Sequence, residues 1–162
     1  MIRVREFRES DLFPLADLYG HYAKNTICTY YCGEVTSEYM NSILRGIGHG
    51  CLVAVSKKET IGYTHISPGK RRNICEIAVY LKPNFVNGGT GSLLARHGEA
   101  LAMELGYKVI QAAVCTENIS SLALFESRSY KKTVFQLNAA KKFGRALHTQ
   151  YLEKHLGKDL KI

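Results

Sequence analysis

No stretch of this chain approaches the ~18 to 20 consecutive apolar residues that a helical membrane span needs, so no membrane partner is expected. The first residues, Met1-Ile2-Arg3-Val4-Arg5, are charged where an export signal would be apolar, and a cytoplasmic location is the expectation. Prolines number only three, and no linker, internal repeat or low-complexity tract interrupts the sequence. With 46% hydrophobic residues, the 162-residue chain is expected to form one domain, 1–162, around a real core. Cysteine is present but not patterned. Cys28, Cys32, Cys51, Cys75 and Cys115 are odd in number and irregular in spacing. Cys28 and Cys32 have no second Cys or His pair at ligand spacing, so free thiols in a reducing compartment and no metal are expected. The 22 basic residues exceed the 14 acidic ones, for a net charge of +8, which favours anionic partners in general. No run reaches about five or six like charges, and no RNA- or DNA-binding motif accompanies them. Nucleic acid is therefore not the expected partner, and the ordinary reading of Lys70-Arg71-Arg72, Lys131-Lys132 and Lys141-Lys142 is a solvated surface.

The hydrophobic pattern gives a mixture of elements without strict alternation. Ile2 to Phe7 reads as a strand. Ser10-Asp11 offers a cap for a helix carrying Leu12, Leu15, Leu18, Tyr19 and Tyr22 at helical spacing. Asn25 to Val35 reads as a loop, and Thr36 caps a second short helix that ends near Gly46 to Gly50. Cys51–Val55 and Ile61–Ser67 form a pair about a turn at Lys57 to Thr60, and Ile74–Leu81 is a central strand. A main helix over Ser92–Leu105, a strand over Val109–Val114, a helix from Ser120 or Ser121 to Arg128, and a last hairpin of Lys132–Leu137 with Ala146–Leu152 complete the order βααβββαβαββ. Such an order predicts an α+β fold with a mixed sheet flanked by helices.

The densest signal lies between Glu76 and Leu94: E-I-A-V-Y-L-K-P-N-F-V-N-G-G-T-G-S-L-L. A strand stopped by Pro83 leads into Gly88, Gly89 and Gly91 and then a helix start. Glycines let the backbone approach an anion, and the first free N–H groups of the helix point at it. Asn87-Gly88 is also a hairpin turn signal, but Leu93, Leu94, His97, Leu101 and Leu105 then recur at helical spacing. A Walker loop is excluded because no Lys-Ser/Thr pair follows the glycines. A dinucleotide fingerprint is excluded because Leu94 stands where a third glycine is needed. A phosphate cradle of another kind remains, with the Glu76 carboxylate at the far end of the same strand. That carboxylate can act as a general base, or it can be an edge acid paired with Arg71 or Arg72.

This segment resembles the GNAT superfamily of acyl-CoA-dependent N-acyltransferases, whose signature is Arg/Gln-x-x-Gly-x-Gly/Ala. In Val86-Asn87-Gly88-Gly89-Thr90-Gly91 both glycines match, and Val86 replaces the Arg or Gln. Within the superfamily, E-I-A-V-Y-L-K-P is most similar to the phosphinothricin acetyltransferase branch, and the resemblance extends from Ile2-Arg3-Val4-Arg5 to Lys142-Phe143-Gly144-Arg145. It implies a mostly antiparallel central sheet, acetyl-CoA as co-substrate and a homodimer.

The resemblance also assigns roles. The backbone of Val86, Asn87, Gly88, Gly89, Thr90, Gly91 and Ser92 would surround the pyrophosphate. Val79, Tyr80 and Leu81 would pair with the pantetheine arm like an added strand, and Asn118 would bond the cofactor's amides, unless it is a plain helix cap. Glu76 would take the proton of an amine whose pKa is about 10.4 in water, and a backbone N–H near Val79 or Tyr80 would meet the oxyanion. The chain departs from the family in Leu124-Phe125-Glu126-Ser127-Arg128-Ser129-Tyr130, where Phe125 replaces a Tyr general acid and Ser129 a glycine. Water or Tyr130 could substitute. On the acceptor side, Tyr30, Tyr31 and Tyr63 are candidate contacts, with His65 on the same strand as Tyr63; packing is the ordinary role of such aromatics. The expected activity is acetylation of a small amino-acid-like amine. The alternative is an acyl-CoA sensor without turnover, motivated by Val86, Phe125 and Ser129.

Overall fold

The computed structural model describes residues 1–157. Strand β1 (Ile2–Glu6) is followed by a 3-10 turn at Glu9–Asp11 and then by helices α1 (Leu12–Asn25) and α2 (Ser37–Leu44). Strands β2 (Gly50–Ser56), β3 (Glu59–Pro68) and β4 (Ile74–Leu81) come next, then helix α3 (Thr90–Glu104). Strand β5 (Val109–Cys115), helix α4 (Ile119–Ser127) and the long hairpin β6 (Lys131–Lys142) and β7 (Arg145–His155) close the described chain. The order is the βααβββαβαββ that the hydrophobic pattern predicts.

The seven strands form one sheet in the order β1-β2-β3-β4-β5-β7-β6. Every neighbouring pair is antiparallel except β4 and β5. That pair holds together for only three rows, Ile74–Val109, Cys75–Ile110 and Glu76–Gln111, and then parts. Helices α3 and α4 cover one face, where Cys75, Ile77, Ala95, Ala102, Ile110, Ala112, Val114 and Phe125 share a core. Helices α1 and α2 cover the other face over β2 and β3, around Leu15, Met40, Val53 and Tyr63. Helix α3 sits close to the sheet because of Gly98. A Cβ there would lie 2.7 Å from Thr64 Oγ1 and 2.9 Å from Ile77 Cδ1, distances that no side chain tolerates without a shift.

Three local expectations need correction. Asp11 does not cap α1 with its side chain. Its buried carboxylate instead accepts two bonds from Arg5 (2.8 and 2.9 Å) and one from the Arg8 amide (2.7 Å), which together hold its pKa below the usual carboxylate value despite burial. Helix α3 begins at Thr90, two residues before Ser92, because left-handed Gly89 (φ 85°) serves as its N-cap. The last hairpin is much longer than predicted. Its two-residue turn, Phe143-Gly144, has positive φ at both positions (53° and 75°), the twist that tight hairpins favour. The shorter estimate missed it because β6 is exposed over most of its length and shows no apolar alternation. Thr36, by contrast, caps α2 as expected, accepting from the Tyr39 amide at 3.0 Å.

His65 on β3 is 9% exposed. Its Nε2 lies 2.9 Å from His49 Nδ1, so the two imidazoles share one proton. Burial, with His49 adding a smaller effect, lowers its pKa to about 4. The unfolded chain, with an imidazole near 6.5, binds a proton that the folded chain refuses. Stability from this site is therefore full above pH 6.5 and falls as pH drops toward 4, by roughly 3 kcal/mol. Urea midpoints at pH 7 and 4.5 are expected to differ less in His65→Gln than in the unaltered protein; equal slopes in both proteins exclude His65 as the cause. Asp11 acts in a separate window, its contribution being lost only as pH falls below its unfolded value.

Candidate active site

The parting of β4 and β5 opens a cleft of about 700 Å³. Ile77 to Leu81 form one wall, Ala113, Val114 and the first turns of α4 the other, and Val86, Asn87, Gly89, Gly91 and Ser92 its mouth. The backbone groups on the β4 wall follow from register. The Lys82 amide donates to the Ile61 carbonyl at 2.8 Å, which makes Gly62–Leu81 a non-hydrogen-bonded pair. Alternation then turns the N–H and C=O of Leu81 and Val79 away from β3 and into the cleft, while those of Tyr80 are spent on Tyr63. Val79 thus presents both backbone groups, and Leu81 its N–H, to an extended partner, the Leu81 carbonyl being taken by the Tyr22 hydroxyl. Of the two amides considered for the oxyanion, Val79 has the one facing the gap.

At the mouth, Asn87 (φ 67°) and Gly89 (φ 85°) are both left-handed. Such turns leave successive amides pointing to one concave side, and here they lead directly into the N-terminus of α3. No atom lies within 4 Å of a Cβ built on Gly89, so it is the backbone conformation that calls for glycine there. Gly88 and Thr90 are not among the lining residues, and Thr90 is buried at 3% exposure. Val86 is 38% exposed and contributes an apolar rim. Asn118 caps α4, its side-chain oxygen accepting from the Ser121 amide at 3.2 Å, and it also lines the cleft.

Glu76 stands at the last paired row before the strands separate. Its side chain shares a face with Ser67 and Gln111, its direct partners on either side, and that face is the one opposite α3 and α4. It is not among the residues lining the cleft itself. It is partly exposed, and among the described residues it has neither a hydrogen bond nor an ion pair. The pairing with Arg71 or Arg72 is therefore not made; Arg71 lies instead 4.0 Å from Glu153.

The aromatic candidates divide. Tyr63 is 2% exposed and stacked on Tyr80 with 5.5 Å between ring centres, which makes it a core residue. Tyr31 stacks on Tyr39 at 4.4 Å and donates to the Glu34 carbonyl. Tyr30 reaches across to β7, with its hydroxyl 2.6 Å from Thr149 Oγ1. The loop that carries both is fixed by Lys142, whose buried ammonium donates to the carbonyls of Thr29 (2.8 Å) and Tyr31 (3.0 Å). Phe125 lines the cleft. Tyr130 packs behind it at 5.0 Å; its hydroxyl is buried without a partner among the described residues, outside the lining, so it is not placed to replace an acid at residue 125. Several lining residues were not expected from the sequence, among them Tyr22 and Cys28. The Tyr22 hydroxyl donates to the Leu81 carbonyl. That contact joins residues 59 apart, and nothing local in the sequence signals it.

A sheet split between its one parallel pair among the described residues, with unpaired backbone groups of β4 in the gap and an amide nest at its mouth, has the shape that an acyl transferase using a nucleotide-tailed thioester requires. The comparisons agree. The chain belongs to the acetyltransferase (GNAT) family, whose profile matches residues 15–130, and is an acyl-CoA-dependent N-acyltransferase. It is similar to a phosphinothricin N-acetyltransferase of Streptomyces coelicolor, at 29% identity over 96% of both chains. Among solved structures, it is similar to a ribosomal-protein-alanine N-acetyltransferase from Brucella melitensis (27% identity, TM-score 0.90, covering 95% of this chain and 99% of that one). A phosphinothricin acetyltransferase from Sinorhizobium meliloti in complex with acetyl-CoA shares the fold (24% identity, TM-score 0.89, covering 97% and 89%).

Proposed function

We propose that this protein moves an acetyl group from acetyl-CoA to the amine of a small amino-acid-like acceptor, by direct attack, with Glu76 as general base. The observation that carries this reading is the position of Glu76: an unpartnered carboxylate at the fork of β4 and β5, beside the only opening between the two strands among the described residues. Val86 to Ser92 hold the pyrophosphate through backbone amides, and Val79 and Leu81 hold the pantetheine arm. Asn118 offers a further amide contact. An alkylammonium, with a pKa of about 10.4, must lose a proton before it can attack. Glu76, directly or through one water, accepts it. The nitrogen lone pair then forms the C–N bond, the Val79 amide steadies the oxyanion, and the C–S bond breaks to release the thiolate. The nitrogen, cationic once the C–N bond has formed, gives its second proton through water to the thiolate, since Phe125 has none to give.

Phe125 also favours a second reading, an acyl-CoA sensor without turnover. The two separate in one experiment. Acetyl-CoA-dependent thiol release with a panel of amino acids and small amines is expected; calorimetric binding of acetyl-CoA with no release for any member would replace the enzyme by the sensor.

The outer edge of β6 and its exposed Val134, Phe135 and Leu137 support a homodimer formed through this strand. Light scattering is expected to give twice the chain mass, and the joint substitution of Phe135 and Leu137 by Lys the single mass. A monomer for the unaltered protein excludes the dimer. The five free cysteines fit a reducing compartment, the cytoplasm.

A further inference from the structure

Ser67, Glu76, Gln111 and Glu153 stand directly opposite one another in succession across β3, β4, β5 and β7. Residues so paired share a face. Here it is the face that α3 and α4 leave uncovered, because Ile110 and Ala112, the neighbours of Gln111 along β5, point into the core beneath those helices. Adjacent strands lie about 4.8 Å apart, so the backbones of Glu76 and Glu153 are separated by roughly 10 Å, with Gln111 between them.

The Gln111 amide is held in one orientation. Its Nε2 donates to Glu153 Oε1 at 3.1 Å. An ionised carboxylate only accepts, so the amide nitrogen must face Glu153 and the amide oxygen must turn elsewhere. Arg71, 4.0 Å from the same carboxylate, adds a positive charge behind it. Neither the Gln111 oxygen nor the Glu76 carboxylate has a donor among the described residues. These are neighbouring acceptors in one row on one sheet face, one charged and one dipolar, and a cation with several N–H donors complements both better than the water it displaces. A primary alkylammonium is such a group: it can give one N–H to Glu76 and another to Gln111.

We propose that the registered row Glu76–Gln111–Glu153 is the seat of the acceptor's primary ammonium. Gln111 is an acceptor-binding residue, and Glu153 is the positioning residue that fixes its amide. The proposal rests on the reading of Glu76 as the base and assigns the rest of its row. It also narrows the substrate class. An N-methylated amine has one donor fewer and cannot serve both oxygens while also keeping a free N–H.

The test is a set of variants at exposed or half-exposed positions, assayed with the best amine of the panel and its N-methyl analogue. Gln111→Met is expected to raise the acceptor KM roughly ten- to a hundredfold, the effect of losing one bond to a charged group. The acetyl-CoA dissociation constant should not change, and kcat should stay within about threefold. Glu153→Met should reproduce this, whereas Glu153→Gln, which still accepts from the Gln111 amide, should restore the KM. N-methylation should raise KM strongly in the unaltered enzyme and much less in Gln111→Met. An acceptor KM unmoved by Gln111→Met, or moved only together with donor binding, overturns the seat. Glu76→Gln is measured in parallel. If it keeps full kcat while Gln111→Met raises KM, the base assignment fails and the seat stands; the reverse pattern sinks the seat alone. No turnover of any primary amine by the unaltered protein overturns both.

Discussion

Replacing Glu76 by Gln is expected to lower kcat by roughly 10²- to 10⁴-fold, the usual worth of a positioned base, with the acetyl-CoA dissociation constant unchanged. The substitution keeps the shape of the side chain and removes only its ability to take a proton. Nothing structural is lost with it, because Glu76 has no partner among the described residues and is partly exposed. Donor binding is insulated as well, since the cleft is lined by the β4 backbone beyond Glu76, the glycine nest and α4. Thiol release measured at saturating amine, with calorimetry on the same preparation, gives both quantities. A kcat within a few-fold of the unaltered enzyme would remove Glu76 from the chemistry.

The second large effect concerns stability. Glu99 on α3 is 7% exposed and accepts three bonds: two from Arg128 (2.9 and 3.1 Å) and one from Lys154 (2.5 Å). One carboxylate therefore ties α3 to the end of α4 and to β7. Glu99→Ala leaves two half-buried cations facing each other without a counter-charge, at a cost of about 3 kcal/mol. For a domain of this size, the melting temperature should fall by roughly 6 to 12 °C. Glu99→Gln keeps acceptor capacity on one side and should cost less than half as much. A change below about 1 kcal/mol for Glu99→Ala in urea unfolding would show that the triad adds no net stability.

Much of this fold was legible because its signals are local. The central strand is bounded at both ends as the apolar run Ile74–Leu81 predicts, and Pro83 with Gly89 marks where strand gives way to helix. The glycine cluster also located the mouth of the cleft, because left-handed and close-approach positions leave a mark in residue type. What stayed hidden depends on register between strands distant in sequence. Gln111 and Glu153 are ordinary polar residues until β5 and β7 bring them together 42 positions apart. Lys142 looked like surface charge, yet it is buried under the carbonyls of Thr29 and Tyr31. Tyr63 failed as an acceptor contact for the same reason: β alternation shows which strand face a residue shares, but not whether a helix lies on top of it. The length of β6 was missed because an exposed edge strand carries no hydrophobic period.

The three-row contact between β4 and β5 has a mechanical corollary. In the sheet, β1 to β4 on one side and β5 to β7 on the other are stitched by a seam only as long as Ile74–Glu76, with α3 and α4 packed across its back. So short a seam makes the fork the direction in which the sheet is expected to yield most easily. A thioester arm lying along Val79 and Leu81, as proposed, would act as the missing rung of this ladder. Occupancy would then stiffen the domain far from the reacting carbon, and slower amide exchange along the distal half of β4 would be its signature.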